Sequence, residues 1–247
     1  MSMPVRLVSS FYEKVWGVPV SSGPQAGLKL GEIWFDARPL LLKFIFTSEK
    51  LSVQVHPTDD YAARHEASRG GRGKTEIWYV VAAEPGARLA VGLKGEMSRE
   101  ELRRAALNGS LESKLSWREV HPGDTVFVPA GTIHAIGPGL TLCEIQQHCD
   151  ITYRLFDYGR PRELHLEKAL DVVRTSPLAG LVALPFACEY FRVERFAGGI
   201  IPPGLLVIAS GEGRLAGQPC AAREVWRISE PVEFETGQPF DCLLVNN

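Results

Sequence analysis

What most constrains this chain is that its apolar runs are short and that glycine and proline break them up. Leu30–Phe35, Leu40–Thr47, Leu51–Val55, Ile77–Ala82, Arg88–Leu93, Thr125–Val128 and Leu140–Gln146 are rich in Val, Ile and aromatic residues, which suit a pleated surface. Gly23-Pro24, Pro85-Gly86, Pro122-Gly123 and Gly137-Pro138-Gly139 punctuate them. Short strands at this spacing predict a mainly β chain, folded as a sandwich or a small barrel.

Helical periodicity is confined to a few segments. Asp59–Ser68 opens on an acidic cap. Ser98–Leu107 begins SREE, a capping box of Ser98 and Glu101, with the Glu and Arg content of a solvated surface helix. Pro161–Val173 sets Leu166, Ala169, Leu170 and Val173 on one helical face. A Pro- and Gly-punctuated stretch without periodicity follows, and near residues 175–185 we expect a boundary. Beyond it, Tyr190–Ala197, Leu205–Ala209, Glu224–Ile228 and Phe240–Val245 are again strand-like. The expected organisation is a large unit over 1–160, a helical connector over 161–185 and a smaller β unit over 186–247. That last segment contains no histidine, so it cannot host an imidazole metal site.

Charge narrows the partners. Twenty-seven Lys+Arg against 29 Asp+Glu leave a net charge of -2, without the basic excess that nucleic acid or an anionic membrane would want. No run of about 18 apolar residues suggests a membrane span. The first ten residues lack the extended apolar core of a secretory signal. Five cysteines at irregular spacing, with no CxxC pair, indicate neither a thiolate zinc site nor a disulfide framework. A cytoplasmic protein with reduced thiols is the expectation.

Three motifs carry chemistry. In LSVQVHP, Gln54 and His56 are two apart and share a face of a strand. In Lys74-Thr75-Glu76, a carboxylate stands where an apolar strand begins. The third is the most specific: Gly123 to His134 fits G(X)5PXG(X)2H, in which a strand enters a Pro/Gly turn and the returning strand aims His134 inward. That is the second metal motif of the cupins, whose first motif supplies two His and a Glu. Here Gln54 replaces one His, and Glu76 lies 20 residues after His56.

Those departures, with EIQQHCDITYR and RELHLEKAL further on, resemble the type I mannose-6-phosphate isomerases. The resemblance runs from Glu13 to residue 170, is strongest over 51–157 and thins in the last sixty residues. It implies a cupin-type β-sandwich or jelly-roll barrel in the first unit, and a degenerate cupin-like unit at the C-terminal end. It implies one zinc ion per chain on Gln54, His56, Glu76 and His134, a catalytic Arg154 ten residues beyond Glu144, and an active-site Lys74. The implied reaction interconverts mannose 6-phosphate and fructose 6-phosphate through a cis-enediol; Lys74 and Glu144 are both candidates for the base. The glycine-rich loop Arg69–Lys74 is expected to close over the substrate phosphate with Arg69 and Arg72. His65, His121, His148 and His165 receive structural readings, and Trp16 is read as core packing first and pocket wall second. Against this stand a non-catalytic cupin that binds a sugar or metal and regulates, and an iron oxygenase that would want two His where Gln54 stands. Monomer and homodimer both remain open.

Overall fold

The computed structural model describes residues 2–174, 180–237 and 239–247. The expected mainly β architecture is found, and its layers explain the patterning of the strands. A seven-stranded sheet runs in the order Leu181–Val182, Thr125–Val128, Glu76–Ala83, Leu140–Gln147, Leu40–Thr47, Lys29–Ala37 and Ser9–Pro19, all antiparallel. A five-stranded sheet runs Tyr153–Phe156, Val53–Val55, His134–Ile136, Arg88–Leu93 and Leu115–Glu119. The two face each other across Ile45, Trp78, Val80, Leu89, Val91, Val126, Ile136 and Leu142. This is the cupin sandwich.

Leu40–Thr47 is buried at every position because both of its faces are covered. Leu40, Leu42, Phe44 and Phe46 turn outward, where they meet Phe191, Val193, Leu205, Val207 and Val245 of a second, six-stranded sheet. The alternate positions, Lys43 among them, turn inward. The same period of two sends Ile77 and Tyr79 outward from their strand, with Trp78 and Val80 on the inner side. In Leu140–Gln147 it sends Cys143 and Ile145 outward, leaving Glu144 on the inner side. A ladder in which Glu144 pairs with Trp78 and Lys43 therefore gathers charged side chains at one place inside the sandwich.

The six-stranded sheet runs Val5–Arg6, Glu224–Ile228, Gly204–Ser210, Asp241–Asn246, Arg192–Arg195 and Phe186–Ala187. Its first strand comes from the N-terminal end of the chain. Its far face packs on a four-stranded sheet of Gly199–Ile201, Val232–Thr236, Glu212–Leu215 and Gln218–Ala221. The outer side of the five-stranded sheet is closed by the helices Arg99–Leu107, Leu111–Lys114 and Leu166–Val172.

Local departures have local causes. The capping box at Ser98 and Glu101 is present. The helix expected from Asp59 stops at His65, and a single 3-10 turn over Ala67–Arg69 follows before Gly70 turns left-handed at φ 94°. The helix expected over 161–173 forms only over Leu166–Val172, because the residues before it are engaged elsewhere. Arg162 is drawn onto Asp157, and the His165 ring accepts the Arg154 backbone N–H. Of the stretch expected to be a boundary, residues 175–179 lie outside the described residues. Ser9–Pro19, an edge strand of 11 residues, was not expected: its mostly exposed, polar-interrupted sequence lacks the apolar signal of an inner strand.

Candidate active site and metal centre

The two histidine motifs are joined at the backbone. Gly131 has φ of 83°, a conformation that suits glycine, and a Cβ there would lie 2.9 Å from the Val172 carbonyl oxygen. Its N–H donates to the His56 carbonyl at 2.9 Å. The turn then delivers His134 directly opposite Gln54 in the antiparallel ladder.

Each imidazole is fixed by its other nitrogen. His56 Nδ1 donates to the Ile151 carbonyl at 2.9 Å, and His134 Nδ1 donates to the Thr132 carbonyl at 2.9 Å. Both Nε2 atoms are thereby left as lone-pair nitrogens facing the sandwich interior. Burial pushes the His134 imidazole down to about 4, and burial with the Lys74 charge holds His56 neutral as well. Glu76 Oε1 lies 3.7 Å from His56 Nε2 and 3.5 Å from His134 Nε2, and it is buried without a hydrogen-bond partner. Donor atoms around a tetrahedral zinc stand about 3.3–3.6 Å apart when each bond is about 2.0–2.2 Å. Two imidazole lone pairs and an orphaned carboxylate oxygen at this spacing fit a borderline divalent cation. Gln54 is in reach, with its Nε2 3.1 Å from His134 Nε2; ligation through the amide oxygen requires the amide to turn over.

A charge cluster adjoins these three. Lys74 Nζ is 2.7 Å from Glu76 Oε2, 3.2 Å from His56 Nε2 and 3.7 Å from Glu144 Oε1. Glu144 Oε1 also has Lys43 Nζ at 3.2 Å, and its Oε2 accepts from Trp78 Nε1 at 2.9 Å. Burial alone would neutralise the Lys74 amine, but Glu144 and Glu76 outweigh it and hold the group as an ammonium. Burial likewise opposes ionisation of Glu144, and the Lys74 and Lys43 charges overcome it. Glu76, raised by burial and then by the Glu144 charge, is the more basic carboxylate of the two.

Gln54, Lys74 and Glu144 face a polar cavity of about 230 Å³. Arg154 lines the same cavity, its guanidinium donating to the Glu163 carbonyl at 3.2 Å, without direct contact to Glu144 or Lys74. Of the seven residues singled out in the sequence, six are thus interconnected and the seventh stands at the wall. Trp16 does both things considered for it: it is buried among Ile45, Leu51 and Trp78, and it borders the cavity.

Two expectations are corrected. Arg69 lines the cavity, but Arg72 lines another one with Asp59, Gln147 and Tyr190, because the turn at Gly70 and Gly71 sends it away. His165 lines the same cavity as Arg69, since the shortened helix starts only after it. Residues that sequence reading passed over are Lys43, Glu32, Lys14 and Arg162, all at this cavity. Lys43 had a usable signal, a single charge in the middle of LLLKFIFT. Arg162 had none, because its place depends on the buried Asp157 that takes it at 2.6 and 2.7 Å.

No protein-family model matches the chain. The chain is 39% identical to the probable mannose-6-phosphate isomerase GmuF of Bacillus subtilis over 192 residues, covering 71% of this chain and 60% of that protein. It is 35% identical to the mannose-6-phosphate isomerase ManA of Bacillus subtilis over 232 residues, covering 79% of this chain and 73% of that one. A solved mannose 6-phosphate isomerase from Bacillus subtilis superposes with a TM-score of 0.85 at 24% identity over the whole of both chains. A zinc-bound mannose 6-phosphate isomerase superposes with a TM-score of 0.77 at 15% identity, again over the whole of both chains. With more than two thirds of ManA matched at this identity, and with a cupin sandwich to carry it, the chain belongs to the mannose-6-phosphate isomerase family.

Proposed function

We propose that this protein interconverts mannose 6-phosphate and fructose 6-phosphate by moving a proton between C1 and C2 of the open-chain sugar. The observation that carries the reading is the pairing of an ammonium, Lys74, with an ionised carboxylate, Glu144, at 3.7 Å on the wall of one polar cavity. An isomerase needs both an acid and a base beside the same two carbons. Lys74 is held protonated and can only donate, so the base is Glu144, which the Lys74 and Lys43 charges keep ionised. Lys74 would give a proton to the oxygen that becomes negative in the enediolate, and Arg154, permanently cationic, would stabilise the same charge. Gln54, His56, Glu76 and His134 would hold one zinc ion, which when bound polarises the sugar oxygens as a Lewis acid. Arg69, Arg154 and Arg162 are the arginines at the cavity that could receive the phosphate.

The remaining expectations fit this reading. Among the described residues no helix is long and apolar enough to cross a membrane, and all five cysteines are free thiols. We place the enzyme in the cytoplasm, with the metal centre, acid and base in residues 1–160, a connector over 161–185 that adds Arg162 to the cavity, and support from 186–247. The test is a coupled assay of fructose 6-phosphate formation on zinc-loaded protein, repeated after chelation. Turnover that disappears on chelation and returns with zinc is the expected result. Sugar phosphate binding without turnover by loaded protein would favour the non-catalytic cupin instead.

A further inference from the structure

Lys74 lies just before a strand, and the amides on either side of it are held by side chains instead of a ladder. The strand starts at Glu76, yet the amides of Gly73, Lys74 and Thr75 are all satisfied. Lys74 N–H donates to the Pro57 carbonyl at 3.0 Å. Gly73 N–H donates to Asp59 Oδ1 at 2.9 Å, and Thr75 N–H donates to Gln147 Oε1 at 2.8 Å. Gln147 in turn donates from Nε2 to both Asp59 oxygens, each at 3.1 Å. Asp59 Oδ2 accepts one further hydrogen bond, from the Tyr190 hydroxyl at 2.7 Å. Asp59 is therefore the hub of a network reaching from the C-terminal segment to the two amides that flank Lys74.

We infer that Tyr190, acting through Asp59 and Gln147, is a positioning residue for the Lys74–Thr75–Glu76 segment, so that the C-terminal segment sets the alignment of the catalytic lysine. The fit around the segment is tight: a Cβ on Gly73 would lie 2.5 Å from the Asp59 backbone nitrogen, so the Gly73–Asp59 contact admits little displacement. Upstream, Gly70 and Gly71 at φ of 94° and 59° leave the preceding loop little stiffness of its own. A shift of about 1 Å in a reacting group is enough to cost about a hundredfold in rate. Loss of one neutral hydroxyl from the hub should cost less than that, because Asp59 keeps its bonds to Gly73 and Gln147.

This inference rests on the isomerase reading for its catalytic consequence but not for its structural one, and the experiment separates them. Tyr190→Phe removes the hydroxyl and keeps the ring. Tyr79→Phe is the comparison, because the Tyr79 hydroxyl also crosses to the C-terminal segment, at Asp241, without touching Asp59 or Gln147. In the zinc-loaded protein, amide exchange over residues 70–77 should speed up several-fold in Tyr190→Phe and stay at the wild-type rate in Tyr79→Phe. In Tyr190→Phe kcat should fall about threefold to tenfold with KM within a factor of two, because the substrate cations are elsewhere. Wild-type exchange over 70–77 in Tyr190→Phe overturns the inference. So does faster exchange confined to residues 186–247, which would mean a docking contact only, and so does an unchanged kcat in an active enzyme. If wild-type protein retains zinc but shows no turnover, the isomerase reading fails, and exchange over 70–77 alone decides the tether.

Discussion

The molecule contains two β-sandwiches built by the same alternation, and they differ in what the interior tolerates. Between the six- and four-stranded sheets the core is Ile201, Leu206, Ile208, Leu215, Trp226, Ile228, Phe234 and Leu244, and among the described residues Cys220 and Cys242 are its only buried titratable groups. Between the seven- and five-stranded sheets lie His56, Lys74, Glu76, His134 and Glu144, each no more than 4% exposed. Among the described residues, every buried polar or charged side chain falls between Glu32 and Asp157. Burying a charge costs several kcal/mol unless partners satisfy it, so the first sandwich sacrifices stability for chemistry and the second does not. The second sandwich covers the apolar back of the seven-stranded sheet, which would otherwise face water.

The comparison breaks most decisively at Glu144. Glu144→Gln removes the proposed base while keeping the shape, and kcat should fall by about 10²–10⁴-fold, the usual range for a general base. Two lysines then lose a counter-charge, so folding should be checked by circular dichroism alongside the coupled assay. A kcat within threefold of wild type would take the base role away from Glu144. Leu206→Ala makes the opposite cut. Leu206 is fully buried in the apolar sandwich, and the cavity left should cost about 2–5 kcal/mol in denaturant unfolding. At temperatures where the variant stays folded, its kcat should match wild type. A large loss of kcat without loss of stability would make the second sandwich more than a cover.

How much of this was legible follows the range of the interactions. The turn that delivers His134 is encoded within twelve residues, since Gly131 is demanded by its left-handed backbone, so spacing alone exposed it. Gln54 and Glu76 were weak signals because their convergence needs the ladders that join Val53–Val55 to His134–Ile136 and Glu76–Ala83 to Thr125–Val128. Lys74 and Glu144 became legible only through family resemblance. The contacts that place Arg162 and Tyr190 leave no periodic trace, because they depend on single acids, the buried Asp157 and the half-buried Asp59, each reached from a loop. Four C-terminal strands, Arg192–Arg195, Gly204–Ser210, Glu224–Ile228 and Asp241–Asn246, were read to within about two residues because their apolar runs face a core. The four-stranded sheet of Gly199–Ile201, Glu212–Leu215, Gln218–Ala221 and Val232–Thr236 was missed because its strands are short or interrupted by polar residues.

Arg162 and Arg72 sharpen the comparison within the first sandwich itself. Both are loop arginines near the site, but Asp157 turns Arg162 into the active cavity while Arg72 opens onto another. A hydrogen bond to a charged group contributes about 1.5–3 kcal/mol, so Arg162→Ala should raise KM for the sugar phosphate about 10–100-fold. Arg72→Ala should leave KM unchanged. Equal effects of the two substitutions would mean that the glycine-rich loop closes over the phosphate after all.

The smallest effect, and the most informative about how the two sandwiches are joined, is the acid limb of stability at Asp59. Burial works to raise this carboxyl, but hydrogen bonds from the Tyr190 hydroxyl, the Gly73 N–H and Gln147 outweigh it and hold it below its ordinary 3.8. A carboxyl depressed in the folded state contributes stability that is fully present above its unfolded pKa and is lost as pH falls through the folded one. Asp59 should therefore steepen the loss of stability below about pH 4, while its contribution stays constant with pH near neutrality. Asp59→Asn would lower stability at pH 7, since an amide cannot accept all of those donors, and its stability should vary less with pH below about 4 than that of the wild type. Parallel acid limbs in chemical denaturation would show that the unfolded chain already depresses Asp59, and the hub would then hold no charge-dependent share of the join. Tyr190→Phe should fall between the two curves, because it removes the first of the bonds that lower the carboxyl and leaves the others.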